Sequence, residues 1–349
     1  MSSGAILVWG GGAIGGTLAA YWTRAGHDVL LVDIVGDHVE ASRGKGLHIF
    51  GPVEEFQVVV PAVRPEALRG QFSRIVLAVK AQATDTAVQS LAPHLTPEGV
   101  VLSAQNGLNE IAIARVVGDA RTMGCFVNFG SDWHGPGEIL FGNRGAVVVG
   151  EIDNSIRDRT RDMHALLAVF EPDAVLTDNI WGYLWGKLAY GAMLFATALT
   201  TDSMTENFED PRRSLVFETL GREVMAVARA RGVAPIGFNG FDPSAFMPEA
   251  PPRLSQASIA ALAEFNRHGA KTHTGIYRDL AVRKRRTEID PQIGIIATLG
   301  REAGVATPAL TQLVALIHDI EDGRRPMSFA TFQRLIDTCT SDSTTKSRS

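Results

Sequence analysis

Gly10, Gly12 and Gly15, set directly behind the apolar run Ile6-Leu7-Val8-Trp9, constrain the fold of this chain more than any other feature. The run is short and wholly apolar, so it reads as a strand buried on both faces. A helical pattern follows from Ala13 to Arg24 and stops at Gly26. Gly10 permits the tight turn, Gly12 lets the backbone approach a pyrophosphate, and Gly15 lets the helix pack closely on the strand. The loop Gly10-Gly11-Gly12-Ala13-Ile14-Gly15 therefore presents a helix N-terminus, with its free N–H groups, to phosphate. A second strand candidate, Val29–Val32, ends in Asp33. That is about 20 residues on, where an acid holds the adenine ribose of a dinucleotide. A carboxylate accepts hydrogen bonds from both ribose hydroxyls and repels a 2′-phosphate. No Arg or Lys follows in Ile34, Val35, Gly36 or Asp37, so the expected cofactor is NAD, with NADP as the alternative.

At 349 residues the chain is long enough for two domains, each with its own core. With 45% apolar and 20% charged residues and a net charge of −5, neither nucleic acid nor a membrane surface is an expected partner. The local run Arg283-Lys284-Arg285-Arg286 reads as a solvated helix face or an anion-facing edge. Cys125 and Cys339 make neither a disulfide framework nor a zinc pattern, so no metal is expected and a reducing cytoplasm is the natural compartment. Met1-Ser2-Ser3-Gly4 leads straight into the first strand without a cleavable apolar segment. The most apolar long stretch, Leu188 to Leu199, is too short to span a bilayer and contains Gly191.

The first half alternates strands and helices. Strands are expected at 5–9, 29–32, 58–61, 75–79, 100–104 and 123–127, and helices at 13–25, 84–91, 110–117 and 156–170. This rhythm predicts an α/β N-terminal Rossmann-type doubly wound sheet. Two short runs, 139–141 and 146–149, flank Gly142-Asn143-Arg144-Gly145 and read as a hairpin appended to that sheet. From about Asp178 the period becomes helical throughout, which predicts an all-α C-terminal domain. The expected divisions are residues 1–177, 178–335 and a polar disordered tail over 336–349. The Pro-rich stretch from Phe241 to Pro252 is a candidate lid, and a homodimer is compatible with this insert and the helical face.

Ligands of open α/β sheets bind at the carboxyl ends of the strands. Lys80 ends the apolar strand Ile75–Val79, within reach of a phosphate, a ribose or a substrate carboxylate. Asn106, in Gln105-Asn106-Gly107, ends the next strand, where its amide could bond nicotinamide ribose or a substrate oxygen. In the helical half, Lys187 lies in Trp185-Gly186-Lys187-Leu188-Ala189, among apolar and small residues. A lysine there must snorkel, pair or face a cleft, and partial desolvation suits it to protonating a carbonyl under reduction. Glu288 is a candidate to orient that lysine, although Thr287-Glu288 also reads as a helix cap.

In this order the elements Gly10–Gly15, Val79-Lys80, Gln105-Asn106-Gly107, Trp185-Gly186-Lys187-Leu188-Ala189 and Thr287-Glu288-Ile289-Asp290 resemble the ketopantoate reductase (2-dehydropantoate 2-reductase) family across nearly the whole chain. The resemblance implies hydride transfer between a nicotinamide cofactor and a small 2-oxo or 2-hydroxy acid. It casts Lys187 as proton donor and places Asn106 near substrate and nicotinamide. Glu288 would sit on the cofactor ribose, and Lys80 near cofactor and substrate carboxylate. Thr274 stands where the family often has a serine for that carboxylate, with one residue too many before Glu288.

The departures bear on substrate. Where the family places asparagines one and two turns after the catalytic lysine, this chain has Gly191 and Phe195. A pocket lacking those amides favours a branched or aromatic side group over a hydroxyl-bearing one. The rival readings are a true NADPH-dependent 2-dehydropantoate 2-reductase, a β-hydroxyacid dehydrogenase and a non-catalytic NAD-binding sensor. Tyr183 and Gly191 flanking Lys187 count against the second, and Lys187 itself against the third.

Overall fold

The computed structural model describes residues 4–238, 240–267 and 272–346, with the backbone alone over 342–346. They fall into two compact units that divide between Ile180 and Trp181. The expected divide after residue 177 lies slightly early. Ile180 still belongs to the first unit, where its side chain crowds Gly124.

The first unit contains strands β1 (Ile6–Trp9), β2 (Val29–Val32), β3 (Leu47–Phe50), β4 (Phe56–Val58), β5 (Ala62–Val63), β6 (Phe72–Leu77), β7 (Leu95–Ser103), β8 (Thr122–Val127), β9 (Gly130–Gly135), β10 (Glu138–Asn143), β11 (Val147–Glu151) and β12 (Val175–Leu176). Its helices are α1 (Ala13–Arg24), α2 (Gly36–Gly44), α3 (Thr84–Leu91), α4 (Asn109–Val117) and α5 (Asp158–Phe170). Among the described residues these strands make an eight-stranded sheet, β12-β11-β8-β7-β6-β1-β2-β5, and a four-stranded sheet, β4-β3-β10-β9. The run from β8 to β5 is parallel throughout. Along β1 the side chains alternate between two cores. Ile6 and Val8 pack with α1 and α5, whereas Leu7 and Trp9 pack with residues of α3 and α4. Helices on both faces make the sheet doubly wound, as the alternating sequence predicts.

The expected hairpin does not form. β10 pairs with β9 and β3 in the small sheet, while β11 pairs antiparallel with β8 in the large one. The burial patterns give the reason: β11 is buried at every position, and β10 alternates. A strand buried throughout suits a sheet covered on both faces, and an alternating one suits a sheet with one open face. The strand expected over 58–61 also divides, into β4 of the small sheet and β5 at the edge of the large one. Pro61, with no N–H to donate, sits between them, and its carbonyl accepts from Leu31.

The second unit is helical: α6 (Ile180–Thr197, whose first residue closes the first unit), α7 (Met204–Glu209), α8 (Ser214–Ala230), α9 (Pro252–Arg267), α10 (Gly275–Tyr277), α11 (Ile295–Glu302), α12 (Pro308–Glu321) and α13 (Phe329–Lys346). Single π-helical turns follow α10 at Arg278–Val282 and precede α11 at Asp290–Gly294. Over residues 336–346 the expected disordered tail is replaced by α13, which continues to Lys346; residues 347–349 lie outside the described residues. Phe332, Leu335 and Cys339, spaced at helical intervals, are buried and tie it to the unit. The candidate lid is likewise anchored. Phe246 is buried over Gly221 and stacks on Phe241, and the Arg222 guanidinium holds the carbonyls of Met247 and Ala250. No described helix is long and apolar enough to cross a membrane.

Candidate active site

The carboxyl edge of the parallel strands collects the first unit's predicted residues. Gly10 has φ +102°, and a Cβ there would stand 2.8 Å from the Val79 nitrogen, so both conformation and space demand glycine. A Cβ on Gly15 would meet the Gly10 oxygen at 2.0 Å, so this glycine sets the approach of α1 to β1. At Gly12 a Cβ would meet nothing within 4 Å. Helix α1 opens there with no side-chain cap and no acidic residue in its first turn, and Ala13 and Ile14 are partly exposed. Open space before uncapped N–H groups fits a dinucleotide pyrophosphate. Asp33, ending β2, accepts the Gly11 N–H on Oδ2 at 2.7 Å and the Val35 N–H on Oδ1 at 2.8 Å. A carboxylate has about four lone-pair positions, so capacity for ribose hydroxyls remains.

The loops after β6 and β7 are stitched together. Gln105 Nε2 donates to the Val79 carbonyl at 2.9 Å and to Thr84 Oγ1 at 2.8 Å. Thr84 donates to Asn109 Oδ1 at 2.9 Å, and Asn109 Nδ2 donates to the Asn106 carbonyl at 2.8 Å. Lys80 (exposed) and Asn106 (half-buried) thus stand on two loops locked in register by a buried polar chain. Thr84 and Asn109 were not among the predicted residues. Their signal was a polar side chain beside each of two strand ends that are otherwise apolar.

Glu110, next along α4, is fully buried, and neither carboxylate oxygen has a hydrogen-bond partner. Burial pushes its carboxyl up to about 8, against the opposing influence of its own backbone N–H and of the nearby Ser103. The Ser103 hydroxyl is directed at Gln105 Oε1 instead.

In the second unit, α6 is buried along most of its surface; besides Trp181 at its start, Tyr183, Lys187, Tyr190, Gly191 and Leu194 are partly exposed. These positions recur at intervals of three and four and form one stripe on the helix. Lys187 and Gly191 are one turn apart on it, and a Cβ at Gly191 would meet nothing within 4 Å. Phe195 lies off the stripe and is 0% exposed. Of the two positions expected to shape a substrate pocket, Gly191 is therefore the open one and Phe195 belongs to the core. Tyr190 packs against Phe241, and burial raises its phenol above the ordinary range despite a hydrogen bond to Asn266.

Thr274 is buried, and its hydroxyl accepts the Tyr277 N–H at 3.0 Å, capping α10. A π-helical turn, Arg278–Val282, follows α10 directly. The basic run after it is not a helix face. Arg283 and Arg285 pair with Asp279, Arg286 pairs with Glu321 and Asp322, and Lys284 has φ +49°. Thr287 fixes the next segment by donating both its N–H and its hydroxyl to Glu321 Oε1, each at 2.7 Å. Glu288 follows, 9% exposed, and its carbonyl accepts the Gln292 N–H of the second π-turn.

Two family models match: the ketopantoate reductase PanE/ApbA model over residues 6–154 and its C-terminal model over residues 179–321. Among curated proteins, a 2-dehydropantoate 2-reductase of Streptococcus pyogenes is 24% identical over 316 residues, covering 90% of this chain and 96% of that one. Among solved structures, a PanE/ApbA family ketopantoate reductase from Ralstonia eutropha is 26% identical with a TM-score of 0.76, covering 91% of this chain and 99% of that one. A D-mandelate dehydrogenase with NADH and anilino(oxo)acetate shares the fold, with a TM-score of 0.79 at 24% identity and the same coverage.

Proposed function

Since the chain belongs to the ketopantoate reductase family and is an NAD(P)-dependent oxidoreductase acting on the CH–OH of 2-hydroxy acids, we propose that its substrate is a branched or aromatic 2-oxo/2-hydroxy acid and its cofactor NAD(H). The observation that carries this reading is the open space at Gly191, one turn from Lys187 and on the same partly exposed stripe of α6 as Tyr190 and Leu194. Where a hydroxyl-binding amide is absent and the space beside the lysine is open, an apolar side group is favoured. The same fold in a D-mandelate dehydrogenase holds NADH and anilino(oxo)acetate, which is in keeping with this choice.

In this reading Gly10 to Gly15 seat the pyrophosphate and Asp33 the adenine ribose. The exposed Ile34 and Val35 that follow offer no cation to a 2′-phosphate. The bound nicotinamide supplies or takes the hydride. Lys187 gives its proton to the alkoxide oxygen as the carbonyl is reduced. Asn106 bonds the substrate oxygen or nicotinamide ribose, and Glu288 supports the lysine and the ribose. Thr274 keeps its hydroxyl proton for the substrate carboxylate while its oxygen caps α10, with Lys80 as a second anchor.

The test is turnover of phenylglyoxylate, 2-oxoisovalerate and ketopantoate with NADH and NADPH, with the hydroxy acids run in reverse. NADH-linked turnover of the first two supports the proposal, and NADPH-linked turnover of ketopantoate alone overturns it. That result would favour the second reading, a 2-dehydropantoate 2-reductase, the activity named for the curated relatives. Gly191→Asn should raise kcat/KM for ketopantoate relative to phenylglyoxylate by about tenfold or more, the value of one well-placed hydrogen bond.

A further inference from the structure

Gly11, in the middle of the glycine-rich turn, is gripped from both sides. Its N–H donates to Asp33, and its carbonyl oxygen lies 2.7 Å from Nε2 of His38. His38 sits in the first turns of α2 and is 1% exposed. Its other ring nitrogen, Nδ1, faces two donors: the Gly137 N–H at 3.0 Å and the Trp133 indole N–H at 3.4 Å. A nitrogen facing two donors carries no proton. The partners thus assign a neutral ring protonated on Nε2, which donates to the Gly11 carbonyl. The fit is close, since a Cβ on Gly11 would stand 3.0 Å from that nitrogen.

The consequence follows from the peptide plane. In a trans peptide the carbonyl of one residue and the N–H of the next point in opposite directions. By drawing the Gly11 carbonyl inward, His38 turns the Gly12 N–H towards the open side of the loop. A carbonyl facing that side would repel a pyrophosphate, whereas an N–H attracts it. Gly137 lies in the turn between β9 and β10, and Trp133 on β9, so the small sheet braces the loop through His38. The Ser131 hydroxyl adds a second strut by donating to the Ala13 carbonyl at 3.1 Å.

We propose that His38 is a positioning residue for the cofactor, holding the Gly11–Gly12 peptide in the orientation that accepts pyrophosphate. The proposal rests on the glycine-rich loop being the cofactor seat. Its test uses the full chain with His38→Met and His38→Gln, which have nearly the same shape. Only the glutamine can donate to Gly11 and accept from Gly137.

NADH affinity is measured by fluorescence titration, kcat at saturating NADH with the best oxo acid of the panel, and folding by thermal melting. The methionine variant should bind NADH about tenfold more weakly with kcat near wild type, and glutamine should recover most of the loss. Equal affinity in wild type and methionine variant, or no recovery with glutamine, overturns the proposal. If the methionine variant does not fold, ¹⁵N-histidine NMR of the wild type decides: the Nε2–H tautomer supports the clamp, and the Nδ1–H tautomer or a charged ring refutes it. A wild type that binds neither NADH nor NADPH would instead refute the cofactor seat itself.

Discussion

At the scale of single residues, this molecule relies on which groups are left open and which are committed. Lys187 is partly exposed on a helix that is otherwise mostly buried. Its replacement by alanine removes the proposed proton donor without touching the glycine-rich loop. Lys187→Ala should lose roughly 10²–10⁴-fold in kcat, while NADH affinity by fluorescence titration stays at the wild-type value. A drop in NADH affinity with kcat retained would place Lys187 in cofactor binding instead. Lys187, Asn106 and Asp33 stand out in the sequence as candidates because each interrupts or ends an apolar run. That Phe195 is buried while Leu194 is partly exposed was not legible, because spacing along a helix cannot say which of two adjacent positions faces outward.

Among the elements, helix ends show how tertiary partners override local signals. α12 begins at Pro308 after Thr307, a residue pair that reads as a self-contained N-terminus. Thr307 makes no side-chain cap. The cap comes from Glu223 on α8, whose two carboxylate oxygens accept the N–H groups of Ala309 and Leu310 at 2.9 and 2.8 Å. Glu223 is 7% exposed, so these charge-assisted bonds are shielded from water. Glu223→Ala should lower stability by about 1–3 kcal/mol in urea unfolding, with Glu223→Gln milder because one acceptor survives. An unchanged midpoint in the alanine variant would show that water replaces the cap at no cost. The π-turn at Arg278–Val282 makes a related point: nothing in the local sequence announces it.

For the whole molecule, pH dependence of stability has one clear buried source. Glu110 is raised from 4.5 to about 8 by burial in the folded chain. Between those values the native state binds the proton and the unfolded chain does not, so stability falls as pH rises through the window. The favourable contribution is complete below the unfolded value and is lost on passing the folded one. Glu110→Gln keeps the shape and cannot ionise. Its melting temperature relative to wild type should therefore be higher at pH 8 than at pH 5, by a few degrees. The same difference at both pH values would mean that Glu110 finds a charge-stabilising partner in solution.

The division of labour between sequence and tertiary structure follows from the range of the forces involved. Local rules were enough for the strand–glycine–helix unit, for the change of period near Asp178 and for the residues that end each parallel strand. Those features depend on neighbours within a few positions. The partnering of β10 with the small sheet, the Glu223 cap, the burial of Phe195 and the grip of His38 on Gly11 were decided only by the folded chain. Each joins residues far apart in sequence, and each is settled by competition for burial and hydrogen bonds that no short window of residues contains.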